Sequence, residues 1–270
     1  MRILITGSDG FLGREFTAHF SKKYDVISAN RSRLDVSKEE DVKQFFLEED
    51  IDVILHTAFV GGKLNRKDTY SDFCQNIQAF NNIMSFKDND SLLFCFGSGA
   101  SYDRSRPIKD FEESMIFDKV PLDYYGSAKN IISRSIKNNV FDFRLFGCFG
   151  KEEGDSRFIK SSLNRIKKGD PIIITQNKMM DFFYVGDLCK VIDHYINNQD
   201  KNLPTSMNMV YNKKYTLVEL GEHLAGISHP MIISGKRRTA YYTGDGSRLS
   251  SLNLRLTGLF KGIEEAKYVI

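Results

Sequence analysis

A glycine-rich segment directly after the first apolar run constrains the fold of this chain more than any other feature. The branched apolar run Arg2–Thr6 predicts a buried strand, and from Gly10 to Phe20 apolar residues recur with helical spacing. Glycines between a strand and a helix permit a tight turn, and they let N–H groups of the helix N-terminus approach a pyrophosphate. A turn that only packs helix against strand is the alternative. We predict dinucleotide binding by this segment, through Gly7, Gly10, Phe11, Leu12 and Gly13.

The rest of the first half repeats this alternation of apolar runs and helical patterns. Further strands are predicted at 25–28, 53–56, 92–96 and 142–146, and helices at 37–48, 72–86 and 124–138. Ser37, with Glu40 three residues later, has the spacing of a capping box. Strands that alternate with helices of this length favour βαβ units. The predicted fold class is therefore α/β, with a doubly wound parallel Rossmann sheet.

Beyond Gly150 strands and helices alternate less regularly, although individual elements can still be predicted. Helices are predicted at 157–168, 185–197 and 216–224, the last with Thr216 as N-cap and Glu219 three residues on, and strands at 172–175, 207–210 and 231–233. We expect residues 1–150 to form the dinucleotide-binding Rossmann domain, with the segment of about 181–200 returning to it. Residues 151–270 are expected to form mainly a small C-terminal α/β lobe that binds substrate.

Charge and composition exclude several classes of protein. The 270 residues carry a net charge of only +3, with basic and acidic residues interspersed, so no nucleic-acid partner is expected. The short basic run Lys236–Arg238 is either a solvated turn or an anion site. No apolar stretch approaches the roughly 20 residues of a membrane span, and the N-terminus has no signal-peptide pattern. None of the four cysteines forms a C-x-x-C pair. We expect a cytoplasmic protein with no membrane partner and no metal site.

The end of the second predicted strand bears on the choice of cofactor. A protein that binds NAD usually places a carboxylate there for the ribose 2′-hydroxyl, whereas this segment reads Ser28-Ala29-Asn30-Arg31-Ser32-Arg33. The guanidinium groups of Arg31 and Arg33, beside Asn30, can pair with a 2′-phosphate. NADP (NADPH) is therefore favoured as cofactor. NAD is the alternative if both arginines are only exposed loop residues.

Tyr125 and Lys129 lie four residues apart and share one face of the predicted helix 124–138. A tyrosine with its ordinary pKa of about 10 is a poor acid–base catalyst at neutral pH, but a nearby ammonium group favours the phenolate and lowers that pKa. We therefore expect Tyr125 to exchange a proton with a substrate carbonyl or hydroxyl. Such a pair is common by chance, and its position downstream of the glycine segment is what favours catalysis.

These motifs, with others in the same order, resemble the extended short-chain dehydrogenase/reductase family of NAD(P)-dependent epimerases, dehydratases and reductases. The resemblance covers nearly the whole chain, from T-G-x-x-G-F-L-G at Thr6–Gly13 to D-F-F-Y-V-x-D at Asp181–Asp187. It implies catalytic roles for Ser98, Tyr125 and Lys129. The resemblance implies an indirect catalytic role for Asn76, which is expected to fix the active-site helix. The resemblance also implies cofactor contacts by the glycine segment, Tyr125 and Lys129, by Asp35 and Val36, and by Thr57 and Ala58.

Within the family, the chain is most similar to reductases of nucleotide-linked 4-keto sugars, such as GDP-fucose synthase. Phe59-Val60-Gly61-Gly62 resembles their V-G-G loop, and the tail 242–255 resembles their D-x-x-R-L-x-x-L-G segment. Epimerising members carry a cysteine where this chain has Ala100, and they use a histidine that is missing between Gly150 and Met180. Plain reduction is therefore expected. Met180 replaces an arginine that contacts the diphosphate, so substrate contacts are expected from Val60, Gly61, Ser98, Arg157, Lys178 and Arg237 or Arg238.

The expected function is NADPH-dependent reduction of a keto group on a nucleotide-linked, 4-keto-6-deoxy sugar, with Tyr125 as proton donor. An NAD-dependent nucleotide-sugar 4-epimerase is one alternative, and a non-catalytic, cofactor-sensing Rossmann protein is another. Gly99-Ala100 after Ser98 argues against a dehydratase, which carries Asp-Glu there. The resemblance also implies a homodimer. We interpret His56 as a satisfied, semi-buried histidine and Cys148 as a packing residue.

Overall fold

The computed structural model describes residues 1–62, 66–199, 201–235 and 240–266. The first half of the chain forms β1 (Arg2–Thr6), α1 (Phe11–Phe20), β2 (Asp25–Ala29), α2 (Glu39–Glu48), β3 (Val53–His56), α3 (Tyr70–Phe86), β4 (Leu92–Ser98), β5 (Ile108–Phe111), α4 (Tyr124–Arg134), β6 (Val140–Leu145) and β7 (Cys148–Phe149), with short 3-10 helices at Gly99–Ser101 and Glu113–Phe117. The second half forms α5 (Phe158–Lys168), β8 (Ile172–Ile174), β9 (Lys178–Met180), β10 (Phe183–Tyr184), α6 (Val185–Ile196), β11 (Ser206–Met209), α7 (Leu217–Ala225), β12 (Met231–Ile233), β13 (Ala240–Gly244), α8 (Ser247–Ser251) and α9 (Leu259–Glu265).

Six parallel strands form the central sheet, in the order β11-β6-β4-β3-β1-β2. β1 pairs with β2 on one side and with β3 on the other, so the strand order reverses at β1. Thr6 is in register with His56, and Ser98 with Leu145, which brings the carboxyl ends of these strands to one edge. In open α/β sheets, ligands bind at that edge beside the point of reversal. The predicted doubly wound parallel Rossmann sheet is confirmed.

The central strands are buried on both faces because their side chains alternate between two layers of helices. Ile3 and Ile5 pack in one cluster with side chains of α1 and α6, whereas Leu4 between them packs in another cluster with α2 and α3. Burial of each such aliphatic side chain is worth roughly 1.5–3 kcal/mol. α6 supplies Leu188 and Ile192 to the first cluster and so packs against the sheet, although it follows Gly150 in the chain.

Smaller sheets form from the segments outside the central sheet. β5, β13 and β9 form a three-stranded sheet, β12 pairs with β8, and β10 pairs with β7. The apolar core beside α5 and α7 contains Phe149, Ile159, Ile172 and Leu220. Because β5 comes from the first half while α6 and β11 belong with the central sheet, the chain passes between the two parts more than once. We propose a boundary near residue 150, with 185–196 and 206–209 assigned to the sheet.

Two local predictions are wrong. α4 ends at Arg134 rather than near residue 138, because the chain turns into β6 at Asn139, which adopts a φ of 61°. α2 begins at Glu39 without a side-chain cap. The Ser37 hydroxyl donates instead to Asp35 Oδ1 at 2.7 Å, so it does not form the predicted capping box.

The capping box at the start of α7 is confirmed, with Thr216 accepting from Glu219 N–H and the Glu219 carboxylate accepting from Thr216 N–H. The sequence patterns do not predict β5, β9 or β13, because each is short and pairs with a segment distant in the chain. Within the described ranges, no helix is long and apolar enough to cross a membrane.

Candidate active site

The glycine segment joins β1 to α1 through a turn that needs its glycines. Gly7 has a φ of +66°, and a Cβ there would lie 2.7 Å from Ala58 Cα. A Cβ on Gly13 would overlap the carbonyl oxygen of Gly7, which accepts a hydrogen bond from Gly10 N–H at 2.9 Å. Gly10 is the N-cap of α1 and provides no side-chain cap, so the first N–H groups of the helix remain available to an anion.

A small pocket of about 80 Å³ lies beside the end of β2. Leu34, Val36, Ala58, Val60 and Ala79 give it mostly apolar walls, and Gly7, Arg31 and Asp35 line it as well. Its apolar walls and one carboxylate suit the faces and the amino edge of a purine base. Among the predicted cofactor residues, the structure thus brings Gly7, Arg31, Asp35, Val36 and Ala58 together.

The loop after β2 separates the two predicted arginines. Asn30 Oδ1 accepts from Ser32 Oγ at 2.8 Å and from Arg33 N–H at 3.2 Å, so Asn30 shapes the turn. Arg31 Nε pairs with Asp35 Oδ2 at 3.2 Å beside the pocket, and its side chain is 66% exposed. Arg33 Nη1 instead donates to the Ser28 carbonyl oxygen at 3.4 Å. Arg31 is therefore available to a group bound in this pocket, whereas Arg33 is turned towards β2.

A larger cavity of about 300 Å³ lies across the carboxyl ends of β3, β4 and β6. Ser98 ends β4, and its Oγ accepts from Ala100 N–H at 3.1 Å. Tyr125 and Lys129 enter the cavity from the first turns of α4, whose N-cap Asp123 accepts from Gly126 N–H at 2.9 Å. The lining also contains Gly10, Phe11, Leu12, His56, Thr57, Phe59, Gly61, Phe96, Gly97 and Leu145.

The electrostatics of the Tyr–Lys pair differ from the prediction. Burial raises the pKa of Tyr125, and the neighbouring Ser98 hydroxyl and Arg157 charge only partly oppose this rise. Lys129 Nζ donates to the Phe96 carbonyl oxygen at 2.7 Å and lies 3.4 Å from the centre of the Phe59 ring. Its distance to the Tyr125 ring centre is 6.0 Å, and burial lowers the pKa of Lys129 to about 8. In the protein without ligands, the phenol therefore stays protonated at neutral pH.

The V-G-G loop packs directly on the ring of Tyr125. Asn76 holds this loop, since its side chain accepts from Val60 N–H and donates to the Val60 carbonyl oxygen, both at 2.8 Å. Gly62 has a φ of +67°, and a Cβ there would lie 2.6 Å from the Tyr125 ring. Gly61 lines the cavity. Asn76 thus holds the loop that packs on Tyr125, and the role implied for it in fixing the active-site helix stays a prediction.

Residues 3–210 match the profile of the NAD dependent epimerase/dehydratase family. The chain belongs to the NAD dependent epimerase/dehydratase family. This match confirms the family predicted from the motifs, and it makes the protein an NAD(P)-dependent enzyme of the extended short-chain type.

Two relatives and one solved structure that are similar to this chain carry names that refer to GDP-linked sugars. GDP-L-colitose synthase from Yersinia pseudotuberculosis is 24% identical over 253 residues, which are 84% of this chain and 82% of that protein. GDP-L-fucose synthase from Sinorhizobium fredii is 32% identical over 116 residues, which are 40% of this chain and 37% of that protein. The solved structure of GDP-mannoheptose C4 reductase from Campylobacter jejuni, with NADP bound, superposes with a TM-score of 0.81 at 19% identity, covering 98% of this chain and 96% of that chain.

Some of the residues predicted to contact substrate do not line the larger cavity. Arg157 is exposed at the start of α5, and its charge acts on Tyr125 and on Tyr242. Lys178 lies on β9 opposite Ala240 and does not line the cavity. The predicted contact by Arg237 or Arg238 falls outside the described residues. Arg157 is thus the predicted cation that the structure brings towards the reactive groups.

Two aromatic residues at the site were missed by the sequence analysis. Tyr242, on β13, lies beside Ser98 and Tyr125, and its ring is 5.2 Å from that of Phe146. Phe59 lies between the two pockets, with its ring 5.5 Å from that of Tyr125. Phe59 could have been found, because it adjoins Thr57-Ala58 and the V-G-G loop. The tail 242–255 was singled out for its resemblance, but that motif assigns no role to Tyr242, which the pairing of β13 with β9 and β5 brings to the site.

The interpretation of His56 as a satisfied, semi-buried histidine is wrong on both counts. Its side chain is buried, and its Nδ1 shares a hydrogen bond of 2.9 Å with Thr6 Oγ1. Nε2 has no hydrogen-bond partner among the described residues. Burial, together with the Lys129 charge, lowers the pKa of His56 to about 3, so the imidazole is neutral. Cys148 packs in the core cluster with Phe183, and burial raises the pKa of its thiol.

The described ranges contain no group of three or more histidine, cysteine, aspartate or glutamate side chains placed to hold a metal ion.

Proposed function

We propose that this protein reduces a keto group on a nucleotide-linked sugar with NADPH, and that its substrates are 4-keto-6-deoxy sugars. The proposal rests on one observation: Ser98, Tyr125 and Lys129 line the same cavity, which the glycine segment lines as well. The names of the GDP-sugar synthases and of the C4 reductase among the relatives support the substrate class.

The two pockets fit a dinucleotide bound along the edge of the sheet. The apolar pocket suits the adenine, and the glycine turn, whose close backbone packing a Cβ at Gly13 would disrupt, leaves the N-terminus of α1 open to a pyrophosphate. The segment from Ser28 to Arg33 contains no carboxylate, and Arg31 has its guanidinium beside the adenine pocket. This set favours a 2′-phosphate over a 2′-hydroxyl. Arg31 is our candidate for that contact, with NAD as the alternative cofactor.

The side chains divide the remaining work of reduction among them. When bound, the cofactor supplies the hydride. Ser98 and Tyr125 donate hydrogen bonds to the carbonyl oxygen and stabilise the negative charge that develops on it. Tyr125 then gives its proton to that oxygen. Its raised pKa keeps the phenol protonated before reduction, which suits a proton donor. The Lys129 ammonium lies nearby to stabilise the phenolate that remains.

The absence of an acid–base pair favours plain reduction over epimerisation. Ala100, at the position of the epimerising cysteine, is buried in a 3-10 helix. The thiols of Cys95 and Cys148 are both buried, and burial raises the pKa of each and so disfavours the thiolate. A base that removes a proton from carbon needs the ionised form at working pH. Arg157 is our candidate for the substrate diphosphate, since its charge reaches the cavity.

Cofactor titration of the purified protein tests the choice of cofactor. We expect NADPH to bind at least about tenfold more tightly than NADH, which corresponds to roughly 1.4 kcal/mol. Arg31→Ala should remove most of this preference and leave NADH binding unchanged. Arg33→Ala is the matched control, because Arg33 is turned towards Ser28. A preference for NADH, or NAD retained through purification, contradicts the 2′-phosphate contact and favours the 4-epimerase.

Turnover tests the reaction itself. GDP- and dTDP-linked 4-keto-6-deoxy sugars are offered with NADPH, and loss of NADPH absorbance is followed. We expect Tyr125→Phe to lower kcat by roughly 10²–10⁴-fold, the usual contribution of a general acid, while the Kd for NADPH changes little. Tyr124→Phe is the control on the neighbouring residue, which is not in the cavity lining. If no keto sugar is reduced although NADPH binds, the cofactor-sensing alternative gains.

We also propose a homodimer formed through α3 and α4. Tyr70 on α3 and Tyr124 on α4 have ring centres 6.0 Å apart and are 64% and 43% exposed. Leu122, just before α4, is 93% exposed. An exposed cluster of large apolar side chains is typical of an interface. Light scattering after size exclusion should give twice the chain mass, and Leu122→Lys should reduce it to the monomer.

A further inference from the structure

A second, smaller void lies behind the cavity that holds Tyr125. It is about 10 Å³ in size, and it shares Phe59, Phe96 and Gly97 with the larger cavity as lining residues. Its walls also include three polar side chains from three different elements, which are His56 at the end of β3, Lys129 on α4 and Asp142 on β6. The other walls are apolar and include Cys95 and Ile132, so the void brings three polar side chains together in a small, otherwise apolar space beside Lys129.

Two of these polar groups lack a protein partner. His56 Nε2 and Asp142 Oδ1 are buried, and neither has a hydrogen-bond partner in the described part of the chain. The other atom of each side chain is paired, since His56 Nδ1 shares a bond with Thr6 Oγ1, and Asp142 Oδ2 accepts from Ser133 Oγ at 2.7 Å and from Arg144 Nε at 2.6 Å. A buried polar atom left unpaired is destabilising by roughly 1–3 kcal/mol.

Lys129 completes the set of groups around the void. Its ammonium has three N–H donors, and one of them is used on the Phe96 carbonyl oxygen at 2.7 Å. The void has about the volume that one water molecule requires, which is roughly 10–15 Å³. Buried waters typically make about three hydrogen bonds to groups that otherwise lack partners. A lysine donor, a carboxylate acceptor and a neutral imidazole nitrogen supply that number.

We propose that His56, Lys129 and Asp142 bind one structural water molecule, and that Asp142 with this water positions the ammonium group of Lys129. The water accepts from Lys129 Nζ, donates to Asp142 Oδ1 and shares its third hydrogen bond with His56 Nε2. Asp142 and His56 are positioning residues in this arrangement, because they act on the reaction only through Lys129. The importance of these two residues for catalysis rests on the proposed function. The binding of the water and its effect on the charge of Lys129 are independent of that function.

The groups that face Lys129 explain why it needs such support. Burial disfavours the ammonium, and its pKa falls to about 8 although Cys95 and Asp142 act to raise it. On the remaining sides lie His56, which is neutral, and Tyr125 on its own helix. Asp142 is therefore the one carboxylate among the charged groups identified around it in the described chain. The position of Asp142 also invites an explanation, since it interrupts an apolar strand between Phe141 and Phe143.

A crystal structure of the wild-type protein at high resolution, without substrate or cofactor, tests the water directly. We expect one ordered water within hydrogen-bond distance of Lys129 Nζ, His56 Nε2 and Asp142 Oδ1. In His56→Leu, which keeps an aliphatic side chain of moderate size, the water should be absent or displaced. A wild-type void without density, or a side chain filling it, overturns the proposal. Because the protein is free of ligands, this result does not depend on the proposed reaction.

The titration of Lys129 tests the role of Asp142. In protein labelled with ¹³C-lysine, the Lys129 Cε signal is assigned by its loss in Lys129→Met, and its shift is followed with pH. Asp142→Asn should move the midpoint down by about one pH unit, since a nearby opposite charge favours the ammonium. Ser133→Ala is the matched control, because it removes a contact to Oδ2 and leaves Oδ1 in place. An unchanged midpoint in Asp142→Asn overturns the positioning role.

Asp142→Asn also leaves the buried Arg144 with a weaker partner and can therefore fail to fold. The crystal structure of the wild type and the His56→Leu variant then decide the proposal without it. Once a substrate is known, the pH profile of kcat distinguishes the two proposals. If His56→Leu still reduces the substrate but the basic limb of its pH profile is displaced, the water site is supported. If the wild-type protein reduces no keto sugar, only the proposed function is refuted.

Discussion

Replacement of His56 by glutamine should change how the stability of this protein depends on pH. His56 is buried at the end of β3, and its pKa is lowered to about 3, chiefly by burial. Its ordinary pKa in an unfolded chain is about 6.5. Glutamine does not titrate in this range, and its amide can keep a hydrogen bond with Thr6 Oγ1, where Nδ1 now lies at 2.9 Å.

The sign and size of the effect follow from proton linkage. Between the two pKa values, the unfolded chain binds a proton that the native protein refuses, so acidification favours unfolding. The stability contributed by the neutral, buried imidazole is therefore complete above the unfolded pKa and is lost as the pH falls towards 3. Between about pH 7 and about pH 5, this group alone should lower the free energy of unfolding by about 2 kcal/mol. Other titrating groups contribute equally to both proteins, so their effects cancel in the difference.

Urea unfolding of the ligand-free proteins at several pH values measures this difference. The wild-type free energy of unfolding should fall about 2 kcal/mol further than that of His56→Gln between about pH 7 and about pH 5. His223→Gln, on the exposed side of α7, is the matched control for the loss of an imidazole elsewhere in the chain. Parallel curves for His56→Gln and wild type would refute the reasoning, because they would mean that His56 accepts a proton in the native protein.

Three further substitutions test the site. Gly62→Ala places a Cβ 2.6 Å from the Tyr125 ring at a φ of +67°, so we expect kcat/KM to fall about tenfold or more with thermal stability changed by only roughly 1–2 kcal/mol. Gly13→Ala sets a Cβ against the backbone of Gly7 and Ser8 and so displaces the glycine turn from α1, and calorimetry should detect no NADPH binding if the variant folds, as judged by circular dichroism. Tyr242→Phe removes a hydroxyl beside Ser98 and Tyr125, and kcat/KM for a keto sugar should fall about tenfold while the Kd for NADPH stays constant. Tyr241→Phe is its control, and equal effects at the two positions would contradict a role for the Tyr242 hydroxyl.

The central sheet could be predicted because its determinants are local. Each strand from β1 to β4 is a short apolar run bounded by polar residues, and each helix between them carries its own apolar spacing. The parallel arrangement then follows from the alternation itself, since a parallel strand requires a crossover. The end of α4 and the start of α2 were misplaced because tertiary contacts decide them. Asn139 turns the chain into β6, and Ser37 is engaged by Asp35 rather than by the helix.

By itself, the sequence determined the glycine turn, the spacing of Tyr125 and Lys129 on one helical face, and the residues after each parallel strand. These features depend on spacing along the chain, and a regular sheet converts that spacing into position. Packing between distant segments places Arg31 rather than Arg33 at the pocket beside β2, brings Tyr242 next to Ser98, and sets Lys129 and Asp142 around one void. Burial also sets the charges of the site, and burial depends on every element that packs around Lys129 and His56. No local pattern in the sequence specifies how much water those groups lose.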